Sequence, residues 1–101
     1  MANTGKAGAD APATRHAEVG GIQFDVDCAA ISSWAFFKGL RRLGDESVDN
    51  IEKLELSFSL IEMATGVTED DIVEAAGGEH AATPDVIALA AAIVKELTPK
   101  N

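Results

Sequence analysis

The spacing of apolar residues changes once along the chain, and this change constrains the fold more than any other feature. Over residues 17–27 apolar and polar residues alternate, with Ile22, Phe24 and Val26 on one side. This is the period of a half-buried β-strand. From residue 31 onward, apolar residues recur at steps of three and four, which is the period of an amphipathic helix. The pattern predicts an α+β, mainly α fold, in which an N-terminal β-hairpin precedes about four helices in a small bundle.

Glycine and capping residues place the boundaries of these elements. Gly20 and Gly21 predict a tight two-residue turn between the strands, since such turns need positive φ angles. The first helix is expected to begin after a cap at Ser32 or Ser33 and to end at Gly44 in the left-handed conformation.

The later helices carry boundary signals of the same kind. The second helix is predicted to begin within residues 45–47 and to close at Gly66. Thr68 and Asp71 form a near capping box at the start of a short third helix, which residues 77–78 stop. Thr83 is expected to cap the last helix.

The length of 101 residues fits one domain. Residues 1–14 contain nothing large to bury and are therefore expected to form a flexible N-terminal tail. Residues 15–101 are expected to form a single helical domain with its N-terminal hairpin.

The charge of the chain limits its partners. Seventeen acidic and eight basic residues give a net charge of −9, which repels both nucleic acid and anionic membranes. The single cysteine, Cys28, suits a reducing cytoplasm. No apolar run approaches the roughly 20 residues that a membrane span needs. The N-terminal sequence also does not resemble a signal peptide. We therefore expect a cytoplasmic protein.

Residues that could support catalysis or metal binding occur without the spacing that either needs. His16 and His80 have no ligand-spaced partner and form no zinc pattern with Cys28, so they are read as solvated surface histidines. The acidic residues of 69–71 lack the spacing of a calcium loop and are better explained as helix capping. We therefore expect no enzyme, no cofactor and no metal.

One alternative concerns the segment 43–52, which resembles the attachment motif of acyl carrier proteins. There a serine at a helix start carries the phosphopantetheine arm, and Ser47 would be that serine. The family's Asp-Ser-Leu reads Glu46-Ser47-Val48 here, the gap after the first helix is short, and an N-terminal hairpin has no place in that fold. A helix N-cap is the other reading of Ser47.

The order of all the predicted elements resembles another family, the small acidic tail assembly chaperones of long-tailed bacteriophages and prophages. The resemblance covers about residues 18–101. It begins with the strand sequence of residues 20–27 and the first helix of residues 31–37. It continues through the acidic helix between Gly66 and Gly78 and the final helix that opens at Asp85.

The resemblance implies a non-enzymatic chaperone, in a bacterial host cell, that binds the tape measure protein and also the tail tube protein. An acidic surface keeps such a complex soluble, and an apolar helix face can hold a partner helix. We predict partner-binding residues on the surplus apolar stripe of the second helix, with an aromatic anchor on the first: Trp34, Leu56, Leu60 and Met63. Burial in the core is the alternative for each of the four, since core packing is the commoner use of large apolar side chains. An exposed apolar face also favours a homo-oligomer. The remaining alternative is an unrelated acidic protein-interaction module.

Overall fold

A computed structural model describes residues 14–98 of the chain. The first two elements are strands β1 (Thr14–Val19) and β2 (Ile22–Asp27), which pair antiparallel with Val19 opposite Ile22. The turn residues Gly20 and Gly21 have φ angles of 60° and 88°, a conformation that side-chain-bearing residues rarely adopt. The predicted hairpin and its glycine turn are confirmed. The predicted tail falls almost wholly outside the described residues, and Thr14, its last residue, is the first residue of β1.

Within residues 14–98 five helices follow the hairpin, so the predicted α+β, mainly α class is confirmed. They are α1 (Cys28–Ile31), α2 (Trp34–Leu43), α3 (Asn50–Thr65), α4 (Glu69–Ala75) and α5 (Thr83–Leu97), with a 3₁₀ turn at Gly78–His80. The additional helix is the single turn α1, which the sequence did not predict. The Asp27 carboxylate caps α1 by accepting hydrogen bonds from the backbone N–H groups of Ala29 and Ala30.

The predicted start of the second helix within residues 45–47 is wrong, and the reason is a competing cap. The Asp49 carboxylate accepts a hydrogen bond from the Glu52 backbone N–H at 2.8 Å, so α3 begins only at Asn50. Gly44 also differs from its prediction, because its φ of −85° is right-handed. By contrast, Ser33 caps α2 as predicted, accepting from Phe36 N–H.

Of the remaining predicted helix boundaries, those at Gly66 and Thr68 are confirmed and that at Thr83 is wrong. The capping box at α4 is present, since Thr68 and Asp71 each bond the other's backbone N–H. Gly66, which ends α3, has the left-handed φ of 79°. The predicted cap of α5 is wrong: Thr83 is the first helical residue, and Ala82 occupies the cap position without a side-chain hydrogen bond.

Helix α3 is the centre of the domain, contacting α2 on one side and α5 on another, with β2 and α1 also against it. Helices α2 and α3 approach closely at Gly39, where an added Cβ would lie 2.5 Å from Leu60 Cδ2. Strand β1 packs on α5, and Arg15 binds the carboxylate of Glu96 at 3.1 Å. The largest fully buried side chains, which define the core, are Val26, Phe36, Ile61, Ile72, Ile93 and Leu97.

Candidate partner-binding surfaces

The four residues predicted to bind a partner do not share one surface. Trp34 on α2 is 65% exposed and Met63 on α3 is 45% exposed. Leu56 is half-buried but lies outside the set of apolar residues that pack against the core. Leu60 is only 3% exposed and belongs to the core cluster.

The expectation that Leu60 lies on an exposed stripe with Leu56 and Met63 is therefore wrong. These residues are spaced four and three apart and share one side of α3, but α2 approaches that side at Gly39. The absence of a side chain at Gly39 lets α2 come close enough to cover Leu60. The stripe thus divides into a covered centre and two accessible ends.

A groove between α3 and α5 is a surface that the sequence reading missed. It is a depression of about 290 Å³ whose apolar lining is Leu54 of α3 with Ile87, Ala90 and Ala91 of α5. Ile87 is 45% exposed. The small alanine side chains leave the space open, while Asn50, Lys53 and Ser57 supply polar groups at its rim. The only available signal was the alanine run of the last helix, which favours close approach of another helix.

The outer face of α2 combines aromatic and cationic side chains. Trp34, Phe37, Lys38 and Arg41 are all exposed, and their spacing of three, four and seven residues puts them on one helical face. The rings of Trp34 and Phe37 lie 5.3 Å apart between centroids. The Arg41 guanidinium lies 5.9 Å from the centre of the Phe37 ring. We call these four residues the α2 face.

A second depression, of about 280 Å³, adjoins the α2 face and is lined by Lys38, Arg41, Arg42 and Asp45. Arg42 forms an ion pair with Glu52 of α3. Hydrogen bonds from the backbone N–H and the hydroxyl of Ser47 hold the pKa of the Asp45 carboxyl below its ordinary value. The two hydrogen bonds between Asp45 and Ser47 fix this end of the loop before α3.

Ser47, the serine of the carrier alternative, is exposed in the loop that precedes α3. Its hydroxyl donates to the Asp45 carboxylate at 2.8 Å. Because Asp49 caps α3, the reading of Ser47 as a helix N-cap is wrong. Its side chain instead closes a turn with Asp45.

The remaining reactive residues are dispersed over the surface. His16 is exposed and lies 3.1 Å from the exposed Asp25 carboxylate, and His80 is almost fully exposed. Cys28 is half-buried. Within residues 14–98, no group of three or more histidine, cysteine or acidic side chains is placed to hold a metal ion.

In comparisons with known proteins, no protein-family model, curated protein or solved structure matches the chain. Across residues 14–98, no helix combines the length and apolar character needed to cross a bilayer.

Proposed function

We propose that the protein is a non-enzymatic phage tail assembly chaperone that binds an apolar helical segment of the tape measure protein. The observation that carries the proposal is the groove between α3 and α5, an open apolar surface on a domain with a net charge of −9. A groove of this kind suits an amphipathic helix that lays its apolar face on it. The acidic remainder of the surface would keep the complex in solution.

The composition of the groove suits the docking of an apolar helix. Its floor is made by Ala90 and Ala91, and small residues let two helix backbones approach closely. Leu54 of α3 and Ile87 of α5 add larger apolar side chains to the lining, which could contact an inserted helix. Met63 is exposed elsewhere on α3; its flexible thioether would adapt to varied apolar sequences. Tail tube protein is the further partner that the family resemblance implies, and the complex would form in the cytoplasm of the bacterial host.

The test is co-expression of the full chain with a candidate tape measure protein, followed by measurement of soluble tape measure protein and its recovery with the tagged chain. We expect the tape measure protein to become soluble and to copurify. Ile87→Asp should abolish both effects, because it places a charge in the apolar groove.

A matched control lies next to it on the same helix. Ala88 is exposed and does not line the groove, so Ala88→Asp adds the same charge without blocking the site and should retain binding. Circular dichroism of both variants checks that the domain is folded. Tape measure protein that stays insoluble and unbound beside the unmodified chain contradicts the proposal, as does equal loss of binding in the two variants.

A further inference from the structure

The α2 face carries a charge opposite to that of the rest of the molecule. Helix α2 contains Lys38, Arg41 and Arg42 and no acidic residue. Since the whole chain has a net charge of −9, removing these three positive charges leaves −12 for all other residues. Three of eight basic residues thus lie within ten positions of sequence. A concentration of this kind creates a local positive potential on an anionic protein.

Two of these cations are not engaged within the domain. Among residues 14–98, the ion pairs involve Arg15, His16, Arg42 and His80 with acidic partners, and Lys38 and Arg41 form none. Arg41 instead lies against the Phe37 ring. A guanidinium beside an aromatic ring keeps its N–H donors available for a carboxylate.

The aromatic half of the α2 face is also uncovered. Trp34 is 65% and Phe37 49% exposed, although both are large apolar side chains. Neither belongs to the core or to the apolar residues packed against it. Tryptophan and arginine are the residue types most enriched among the energetically dominant positions of protein interfaces.

We propose that the α2 face binds an acidic, amphipathic segment of a partner protein. Aliphatic side chains of the segment would cover the rings of Trp34 and Phe37. Its carboxylates would pair with Arg41 and with Lys38, at the depression that Arg42 and a single carboxylate, Asp45, also line. Charge complementarity selects this occupant, since a basic segment would be repelled at the α2 face.

An extended polyanion fits the same residues less well. Nucleic acid and anionic membranes present negative charge over a long distance. They would therefore be repelled by the rest of the chain, whose net charge without Lys38, Arg41 and Arg42 is −12. A short acidic segment confines its charge to the α2 face. The inference concerns a different helix from the groove between α3 and α5, and it holds whether or not the partner is a tape measure protein.

Trp34 makes the proposal directly measurable, because it is the only tryptophan and the chain has no tyrosine. The probe is a synthetic peptide of about 15 residues, long enough for partial helicity, with leucines on one face and glutamates on the other. Titration of the full chain should give a saturable blue shift of Trp34 emission. The same peptide with lysines in place of the glutamates should give none. Added salt should weaken binding, since exposed charges are screened over about 10 Å at 0.1 M.

A matched pair of charge reversals separates the α2 face from overall charge. Arg41→Glu should weaken peptide binding about tenfold, because it replaces an attraction with a repulsion at the contact. Lys95→Glu changes the net charge by the same amount on an exposed position of α5 and should leave affinity within about twofold, because the α2 face lies on another helix. Circular dichroism confirms that both variants are folded.

The proposal is overturned if Arg41→Glu and Lys95→Glu weaken binding equally, or if the lysine peptide shifts Trp34 emission as strongly as the glutamate peptide. It is also overturned if duplex DNA or anionic phosphatidylserine vesicles shift the emission at lower concentration than the peptide. None of these results depends on the solubility of a tape measure protein, so this inference and the proposed function can fail separately.

Discussion

Because α2 and α3 pack closely at Gly39 and Leu60, we expect Gly39→Ala to destabilise the unmodified protein but to stabilise a Leu60→Ala variant. Gly39 is a buried glycine inside α2. An alanine there would have its Cβ 2.5 Å from Leu60 Cδ2, 3.1 Å from Cγ and 3.2 Å from Cδ1. Because three atoms of one buried side chain are affected together, rotation of a single methyl group would not relieve the overlap.

Two opposing effects decide the stability of Gly39→Ala. Alanine is favoured over glycine in a helix interior by about 0.8–1.0 kcal/mol. Overpacking of a filled core costs about 1–3 kcal/mol. We expect the second effect to prevail, with a net loss of about 1 kcal/mol in the free energy of unfolding.

In a Leu60→Ala background the overlap disappears. Leu60→Ala alone should lower the free energy of unfolding by about 2–5 kcal/mol, because it removes buried apolar surface and leaves a cavity. Adding Gly39→Ala should then increase the free energy of unfolding by about 1 kcal/mol, because only the helix preference and some filling of the cavity remain. The coupling between the two positions is therefore about 2 kcal/mol, within the range for residues in contact.

Urea unfolding of the four proteins, followed by circular dichroism, measures this cycle. With a slope of about 1.5 kcal/mol per molar urea, a change of 1 kcal/mol moves the midpoint by about 0.7 M. The slope itself should be unchanged. If Gly39→Ala stabilises both backgrounds, or destabilises both equally, α2 and α3 are not in the contact described and the reasoning is wrong.

Three further predictions concern the caps and the loop before α3. Thr68→Ala should lower the free energy of unfolding by about 1 kcal/mol through loss of the α4 capping box, measured by urea unfolding; an unchanged midpoint would contradict this. Ser47→Ala should raise the pKa of Asp45 partway toward its ordinary value, since the Ser47 backbone N–H bond remains and the hydroxyl bond is lost. An NMR pH titration of the Asp45 carboxyl measures this pKa. Because the pKa of Asp45 is lower in the folded than in the unfolded protein, ionised Asp45 stabilises the fold at pH values above its unfolded pKa. This stabilisation is lost as the pH falls through the folded pKa. Incubation with a phosphopantetheinyl transferase and coenzyme A should leave the intact mass unchanged, whereas a gain in mass that Ser47→Ala abolishes would establish the carrier alternative.

The elements that the sequence predicted well are those with strong local signals. The Gly20-Gly21 turn needs positive φ angles at both positions, and the Thr68–Asp71 capping box involves residues three apart. Such features depend on near neighbours only. Where two neighbouring residues compete for one role, as Ser47 and Asp49 do at the start of α3, the local pattern did not choose correctly.

The partner-binding surfaces were predicted less well because burial depends on distant elements. Leu60 and Met63 are three residues apart in a helix, yet α2 covers the first and leaves the second exposed. The groove needs α3 and α5 side by side, and no property of either helix alone specifies it. Trp34, which was predicted as an aromatic anchor with burial in the core as the alternative, is 65% exposed, and its role in partner binding remains a prediction.

The hairpin has a consequence for how the chain is made. The turn at Gly20 lies directly against Leu89, and Arg15 reaches Glu96, 81 residues later. An isolated two-stranded hairpin is marginal in water; β2 can pack on α3 as soon as that helix is made, whereas β1 has its helical support only once α5 has been synthesised. Packing of the hairpin during translation therefore finishes only with α5, and a nascent chain stalled before Leu89 should leave β1, with its buried Ala17, and the Gly20 turn without their helical partner.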